Sequence, residues 1–201
     1  PLTYAWEEPT KCVLDYYQIN HCPMIGISWG GYFVMRAAAF EKRISAVVAY
    51  DVADDGLEIM TNVFPPILRR LIRWVFAHKQ EKLVNHLVRF AIHKSVLADW
   101  ALSQGQYITH TKSPYRFYQE VQKHTLRGVC DRITQDCLLL AGEKDHYIPI
   151  DQFERLQSSL PNARSVKKCV FTQAEGGEQH CQIGNHQLAL NEITQWLEGL
   201  E

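Results

Sequence analysis

Residues 22–31 read CPMIGISWGG. The first six, Cys22 to Ile27, form a short apolar run of strand type. Gly26-Ile27-Ser28-Trp29-Gly30 then matches the pattern Gly-x-Ser-x-Gly, and an Ala-rich helical stretch runs from Tyr32 to Phe40. A strand that turns this sharply into a helix needs small flanking residues. A Cβ on either flank is expected to collide with neighbouring backbone and push the serine out of place, so Gly26 and Gly30 are both expected to be required. The turn would hold the Ser28 hydroxyl at the carboxyl edge of a sheet. The N–H of Trp29, at the start of the helix, could donate to a developing oxyanion. The plain alternative is an ordinary turn serine. Against it stands the context, a strand before and a helix after. The next stretch, ISAVVAY (44–50), is apolar along its length, as a strand buried on both faces is. Residues 22–50 thus read as a βαβ unit.

Outward from this unit the pattern changes twice. Before it, residues 6–20 read as a helix, with Pro9 in the first turn and Val13, Leu14 and Tyr17 on one stripe. After it, residues 57–127 contain no convincing strand. Four helices are expected there, in PPILRRLIRWVFAHKQ, EKLVNHLVRFAIHK, SVLADWALSQG and SPYRFYQEVQKHTL, with Pro65, Pro66, Gly105, Pro114 and Gly128 as punctuation. Strand signals return at 136–142 and 166–172, separated by a helix at 151–160. A Gly-containing loop spans 174–184 and a closing helix 186–200. The expected organisation is an α/β core in 1–55 and 129–201, with mainly parallel strands flanked by helices, interrupted by an all-helical cap at 56–128.

The bulk composition sets limits. A chain of 201 residues, 46% of them hydrophobic, is long enough for one domain with its own core and short for two. The net charge of −1 gives no basic excess, so a nucleic-acid partner is not expected. Arg69, Arg70 and Arg73 form the one local cluster, and a solvated helix face is preferred there over a membrane-surface contact. No apolar run approaches the length of a membrane span. The cysteines at 12, 22, 130, 137, 169 and 181 include no Cys-x-x-Cys pair, which suits reduced thiols and a cytoplasmic protein. His78, His86 and His93 lie on helical stretches without carboxylate partners. They read as surface histidines, and neither a metal nor a cofactor is expected.

A serine hydroxyl needs a base to take its proton, and the base needs an orienting carboxylate. The acid should follow a later strand. Asp145 does so, after the apolar run and Gly turn of LLLAGEKDHYIP (138–149), and Glu143 is its rival in the same loop. The base should lie in the loop after the last strand, where EGGEQHCQIGN (175–185) contains His180. Its rival His186 starts the final helix. Cys181, beside His180, lacks the strand–turn–helix setting a nucleophile of this kind requires.

GISWGG, LLLAGEKDHYIP and EGGEQHCQIGN, in that order and followed by NEITQWLEGL, resemble the α/β-hydrolase superfamily. Within it the chain is similar to the capped branch that includes FrsA-like esterases and dipeptidyl-peptidase-like serine hydrolases. The resemblance covers 22–55 and 129–200 well, and 56–128 only in kind. It implies Ser28 as nucleophile, Asp145 as acid, His180 as base and the Trp29 N–H as one oxyanion donor. The substrate it implies is a small, largely apolar ester, amide or activated ketone, since some members cleave carbon–carbon bonds with the same triad. Trp74, Phe76, Phe90, Trp100, Tyr107 and Tyr115 are expected to roof an apolar pocket or to form the core of the cap. A full member has several strands before the serine turn, one of whose loops supplies a second oxyanion N–H. Only about twenty residues precede it here, so the chain looks like the C-terminal part of such an enzyme, with a hydrophobic sheet edge able to dimerise. The competing expectation is a catalytically impaired or non-enzymatic binding protein on the same scaffold.

Overall fold

The computed structural model describes residues 2–62, 64–92 and 95–200. Two compact units emerge, one built from Ala5–Asp54 and Thr125–Glu201, the other from Asp55–His124 with the first residues of the chain.

The first unit contains α1 (Glu7–Tyr16), β1 (Cys22–Ile27), α2 (Trp29–Ala38) and β2 (Ile44–Tyr50), and, after the second unit, β3 (Asp136–Gly142), β4 (Ser165–Phe171) and two further helices. The four strands form one parallel sheet in the order β1-β2-β3-β4. Both central strands are apolar at every position that packing requires. Ala46, Val48, Tyr50, Leu138 and Leu140 pack with Phe171 and with Ala189, Ile193 and Trp196 of the closing helix His186–Glu198. The alternate residues Val47, Ala49, Cys137 and Leu139 are just as completely buried, so β2 and β3 are covered on both faces. The outer strands differ. β4 exposes Lys167 and Lys168, and β1, paired only with β2 among the described residues, leaves Ile25 and Ile27 about half exposed. Helix α1 is joined to α2 by the two-pronged Glu7–Arg36 ion pair, at 2.7 and 2.9 Å, and by Trp6 stacked on Phe33.

Register puts the chemistry on one edge. Ile27 pairs with Tyr50, Tyr50 with Leu140, and Gly142 with Phe171. The residues that follow these four strand ends therefore emerge side by side, and with them come Ser28, Asp51, the 143–149 loop and the 172–185 loop. Parallel α/β sheets gather their sites at this carboxyl edge for the same reason.

The second unit holds α3 (Gly56–Asn62), α4 (Pro66–Ala77), α5 (Glu81–Ile92), α6 (Val96–Thr109) and α7 (Pro114–Val121). Four helices were expected over 57–127. The additional one, α3, is seven residues long and too short for a helical period to stand out. Helix α6 also runs straight through Gly105, because the Phe117 ring occupies the space that a side chain would fill there. Ser95 and Ser113 cap α6 and α7 by accepting hydrogen bonds from the N–H groups of Ala98 and Arg116. Of the six aromatic residues singled out above, Phe76 and Tyr115 are buried in this unit with ring centroids 5.3 Å apart, whereas Trp74, Phe90, Trp100 and Tyr107 are exposed.

Arg70 is exposed on α4, and Arg69 is bonded to the Asn62 side chain. His78 and His86 are exposed, and His93 lies outside the described residues. All six cysteines are unpaired. Among the described residues no helix is long and apolar enough to cross a membrane.

Candidate active site

Ser28 is the hinge between β1 and α2. Its backbone stands at φ 60°, ψ −122°, a left-handed conformation that a non-glycine residue adopts only when its surroundings impose it. Here they do. The Ser28 N–H donates to the Tyr50 carbonyl at 2.8 Å, and the Ser28 carbonyl accepts from the Gly31 N–H at 2.8 Å. Gly26 lies against the Gly30 carbonyl, where a methyl group has no room. The expectation for Gly30 is corrected, since a Cβ there would meet nothing within 4 Å. The second glycine that the packing demands is Gly31, which is pressed onto the Asp51 carbonyl. Gly30→Ala should therefore leave stability unchanged or raise it by up to about 1 kcal/mol, because Gly costs a helix entropy. Gly31→Ala should lower the melting temperature sharply, and thermal unfolding of the two variants checks the contrast.

The Ser28 hydroxyl lies 2.8 Å from Nε2 of His180, and Nδ1 of His180 lies 2.7 Å from Oδ2 of Asp145. The three side chains thus form a continuous relay from three separate loops. Asp145 is held from its other oxygen, Oδ1, which accepts the N–H groups of Tyr147 at 2.7 Å and Ile148 at 3.0 Å. Its side chain is 3% exposed and that of His180 15%, so the relay is largely screened from water. The acid and base loops are also joined directly, by the Lys144 N–H donating to the Glu178 carbonyl at 2.8 Å. The Tyr147 ring meets the His180 ring edge-on at 4.9 Å.

The rivals sit elsewhere. The Glu143 carboxylate accepts the Gln173 N–H at 2.8 Å and stays at the surface. His186 begins the closing helix, and its Nδ1 bonds the Cys181 carbonyl at 3.0 Å. Trp29 opens α2, which puts its N–H in the first turn next to Ser28.

Electrostatics distinguish the histidine. Burial by itself pulls His180 down, but the hydrogen bond and charge of Asp145, with a contribution from Cys181, outweigh it and push His180 up from 6.5 to about 10. The shift stabilises the imidazolium, the form a base acquires when it takes a proton. It also contributes to folding. That contribution is complete below the unfolded value of 6.5 and is lost as pH rises toward about 10.

One member of this cluster was not anticipated. Asp51 follows β2 directly, is 1% exposed, and places Oδ2 3.4 Å from Nδ1 of His180. The sequence held a usable signal, since the first residue past a parallel strand lies at the carboxyl edge beside the neighbouring strand's loop. Asp51, His180 and Cys181 also offer three ligand atoms within 4.8 Å of one another, the one grouping with metal-ligand spacing among the described residues. The imidazole and carboxylate atoms already have other partners. Both ring nitrogens are engaged by Asp145 and Ser28, and the carboxylate accepts from the backbone of Cys181, so the group reads as a hydrogen-bond network. A separate recess of about 990 Å³, bordered by Lys42, Arg132, Arg164 and Asp136, opens at the amino edge of the same sheet and includes none of these residues.

A parallel sheet with a sharp serine turn at its carboxyl edge, where Ser28, His180 and Asp145 are hydrogen-bonded in series, is the arrangement of an α/β-hydrolase core. The family model described as alpha/beta hydrolase fold matches residues 3–176, and the chain belongs to that family. Among curated relatives it is similar to Hydrolase LUC6 of a Fusarium species, 23% identical over 207 residues, covering 96% of this chain and 49% of that protein. It is similar also to Hydrolyase ccsE of Aspergillus clavatus, 25% identical, covering 96% and 49%. The chain spans about half the length of these relatives. Among solved structures, the 2,6-dihydroxy-pseudo-oxynicotine hydrolase superposes with a TM-score of 0.64 at 16% identity, over 97% of this chain and 46% of that one. The meta-cleavage product hydrolase of Pseudomonas fluorescens superposes with a TM-score of 0.61 at 16% identity, over 100% and 74%.

Proposed function

We propose that the chain carries the catalytic relay of a serine hydrolase, with Ser28 as nucleophile, His180 as general base and then acid, and Asp145 as the carboxylate that fixes the imidazole. The observation behind this reading is the unbroken pair of hydrogen bonds, 2.8 Å from Ser28 to His180 and 2.7 Å from His180 to Asp145. In the reaction, Ser28 Oγ attacks an acyl carbonyl while its proton passes to Nε2 of His180. The Trp29 N–H donates to the oxyanion. His180 then returns the proton to the leaving group, and water, deprotonated by the same ring, releases the acyl group.

The substrate in this reading is a small, largely apolar ester, amide or activated ketone. We place the chain in the branch with a helical insertion, near FrsA-like esterases and dipeptidyl-peptidase-like hydrolases. The unpaired cysteines suit a reducing compartment, and we assign the cytoplasm.

Hydrolysis of p-nitrophenyl acyl esters by the full-length protein tests the reading, and its pH profile tests the base. His180 must be neutral to accept the serine proton, and its protonated form persists to higher pH than in an ordinary histidine. The acid limb of kcat/KM should therefore lie above 6.5, and Asp145→Asn should move it to lower pH while lowering the plateau. An acid limb that Asp145→Asn leaves in place would argue against His180 as the base.

A further inference from the structure

The Asp51 carboxylate faces the turn that carries the base. Its Oδ2 accepts the Cys181 N–H, its Oδ1 accepts the Gln182 side-chain amide at 3.2 Å, and Oδ2 lies 3.4 Å from Nδ1 of His180. That turn is an unusual one to hold. Cys181 and Gln182 stand in succession at φ 51° and 46°, and Asp51 itself stands at φ 60°. Conformations of this kind persist in non-glycine residues only where surrounding contacts impose them. The Cys181 peptide is gripped on both sides, its N–H by Asp51 and its carbonyl by the Tyr50 hydroxyl at 2.9 Å and by His186 Nδ1 at 3.0 Å.

We propose that Asp51 is a second carboxylate of the relay, a positioning residue that holds the His180–Gln182 turn and shares the positive charge of His180 once the ring is protonated. The inference rests on the serine-hydrolase reading of Ser28, His180 and Asp145. A buried carboxylate with two hydrogen bonds could serve folding alone. The distance to Nδ1 is what gives it a further role, because an imidazolium flanked by Asp145 at 2.7 Å and Asp51 at 3.4 Å has two anions to face. Other titratable groups in reach are the Cys181 thiol, the Tyr50 hydroxyl and His186, and, against the His180 ring itself, Tyr147 at 4.9 Å and His146 at 6.3 Å between ring centroids. Burial foremost, then the charges of Asp51 and Cys181, push Tyr50 up to about 12, so it remains a donor. On the α2 side Asp51 meets backbone at Gly31, and Trp29, Gly30 and Gly31 bring no charge. Burial raises Asp51 above the usual carboxylate range, with the neighbouring Asp145 charge acting in the same direction. The ionised form of Asp51 is thus favoured most when His180 is charged, the state that follows proton transfer from Ser28.

The test is kcat and KM on a neutral acyl ester between about pH 5 and pH 10, for the full-length enzyme and for Asp51→Asn, Asp145→Asn and the double variant. Asparagine keeps an oxygen to accept the Cys181 N–H and loses the charge. Asp51→Asn should lower kcat roughly 10- to 100-fold with KM unchanged, and should move the acid limb to lower pH. Asp145→Asn should retain about ten times or more the activity of the double variant, because Asp51 still faces Nδ1. An acid limb for Asp51→Asn that coincides with that of the unaltered enzyme overturns the proposal. So does a double variant as active as Asp145→Asn. Should thermal unfolding show that Asp51→Asn does not fold, Asp145→Asn is decisive alone. An acid limb of Asp145→Asn falling below that of an ordinary histidine would mean that Asp51 does not share the charge of the ring, and overturns the proposal. Activity that survives Ser28→Ala overturns the serine-hydrolase reading itself. A Ser28-dependent enzyme indifferent to Asp51 overturns only the role of Asp51.

Discussion

Ser28→Ala in the full-length protein should reduce acyl-ester turnover by roughly 10⁴- to 10⁶-fold, the scale set by removing the nucleophile from a serine relay. The residual rate would come from binding and from oxyanion donors such as the Trp29 N–H, which the substitution leaves in place. The fold should hardly notice. The Ser28 side chain makes no capping hydrogen bond to α2, and its hydroxyl is bonded to His180. The left-handed backbone at φ 60° is imposed by hydrogen bonds from main-chain groups, and alanine keeps those groups. Steady-state kinetics should thus collapse while the thermal unfolding midpoint moves by no more than a few degrees. A large loss of stability would mean that the hydroxyl is structural.

His180→Ala should have an effect of similar size, and the Ser28→Ala/His180→Ala double variant should be little worse than either single one. A nucleophile and its base act as a unit, so removing the second group after the first has little left to abolish. Two independent contributors would instead multiply, giving a double variant that is many powers of ten slower than each single one. The comparison therefore reads the 2.8 Å contact between Ser28 Oγ and His180 Nε2 as chemistry or as coincidence. Ester turnover measured under single-turnover conditions on all three variants decides it. Additive losses would argue that the two side chains are neighbours without being partners.

Much of this arrangement is legible in the sequence. Local signals carried the sheet. CPMIGI and ISAVVAY occupy strands at Cys22–Ile27 and Ile44–Tyr50, because short apolar runs with β-branched residues suit strands, and the second, apolar throughout, is the one covered on both faces. The positions of Ser28, Asp145 and His180 were legible for a related reason. Each lies past the end of a strand, and strand ends in a parallel sheet converge. What was not legible depended on contacts distant in sequence. Gly30 and Gly31 look alike in the string GISWGG, and only the approach of the Asp51 carbonyl distinguishes them. Gly105 looked like a helix end, yet it lies within α6 because Phe117, twelve residues on, needs its space. Asp51 is not legible in the sequence pattern because its contacts lie with Cys181, Gln182 and His180, about 130 residues away.

A fluorophosphonate probe asks most directly whether Ser28 is an activated nucleophile. Such a probe reacts with a serine whose proton can pass to a positioned base, and peptide mass analysis locates the adduct. The full-length protein should be labelled on Ser28, with labelling abolished in Ser28→Ala and slowed at least a hundredfold in His180→Ala, on the order of a general-base contribution. Absence of label on Ser28 in a folded full-length protein would contradict the assignment.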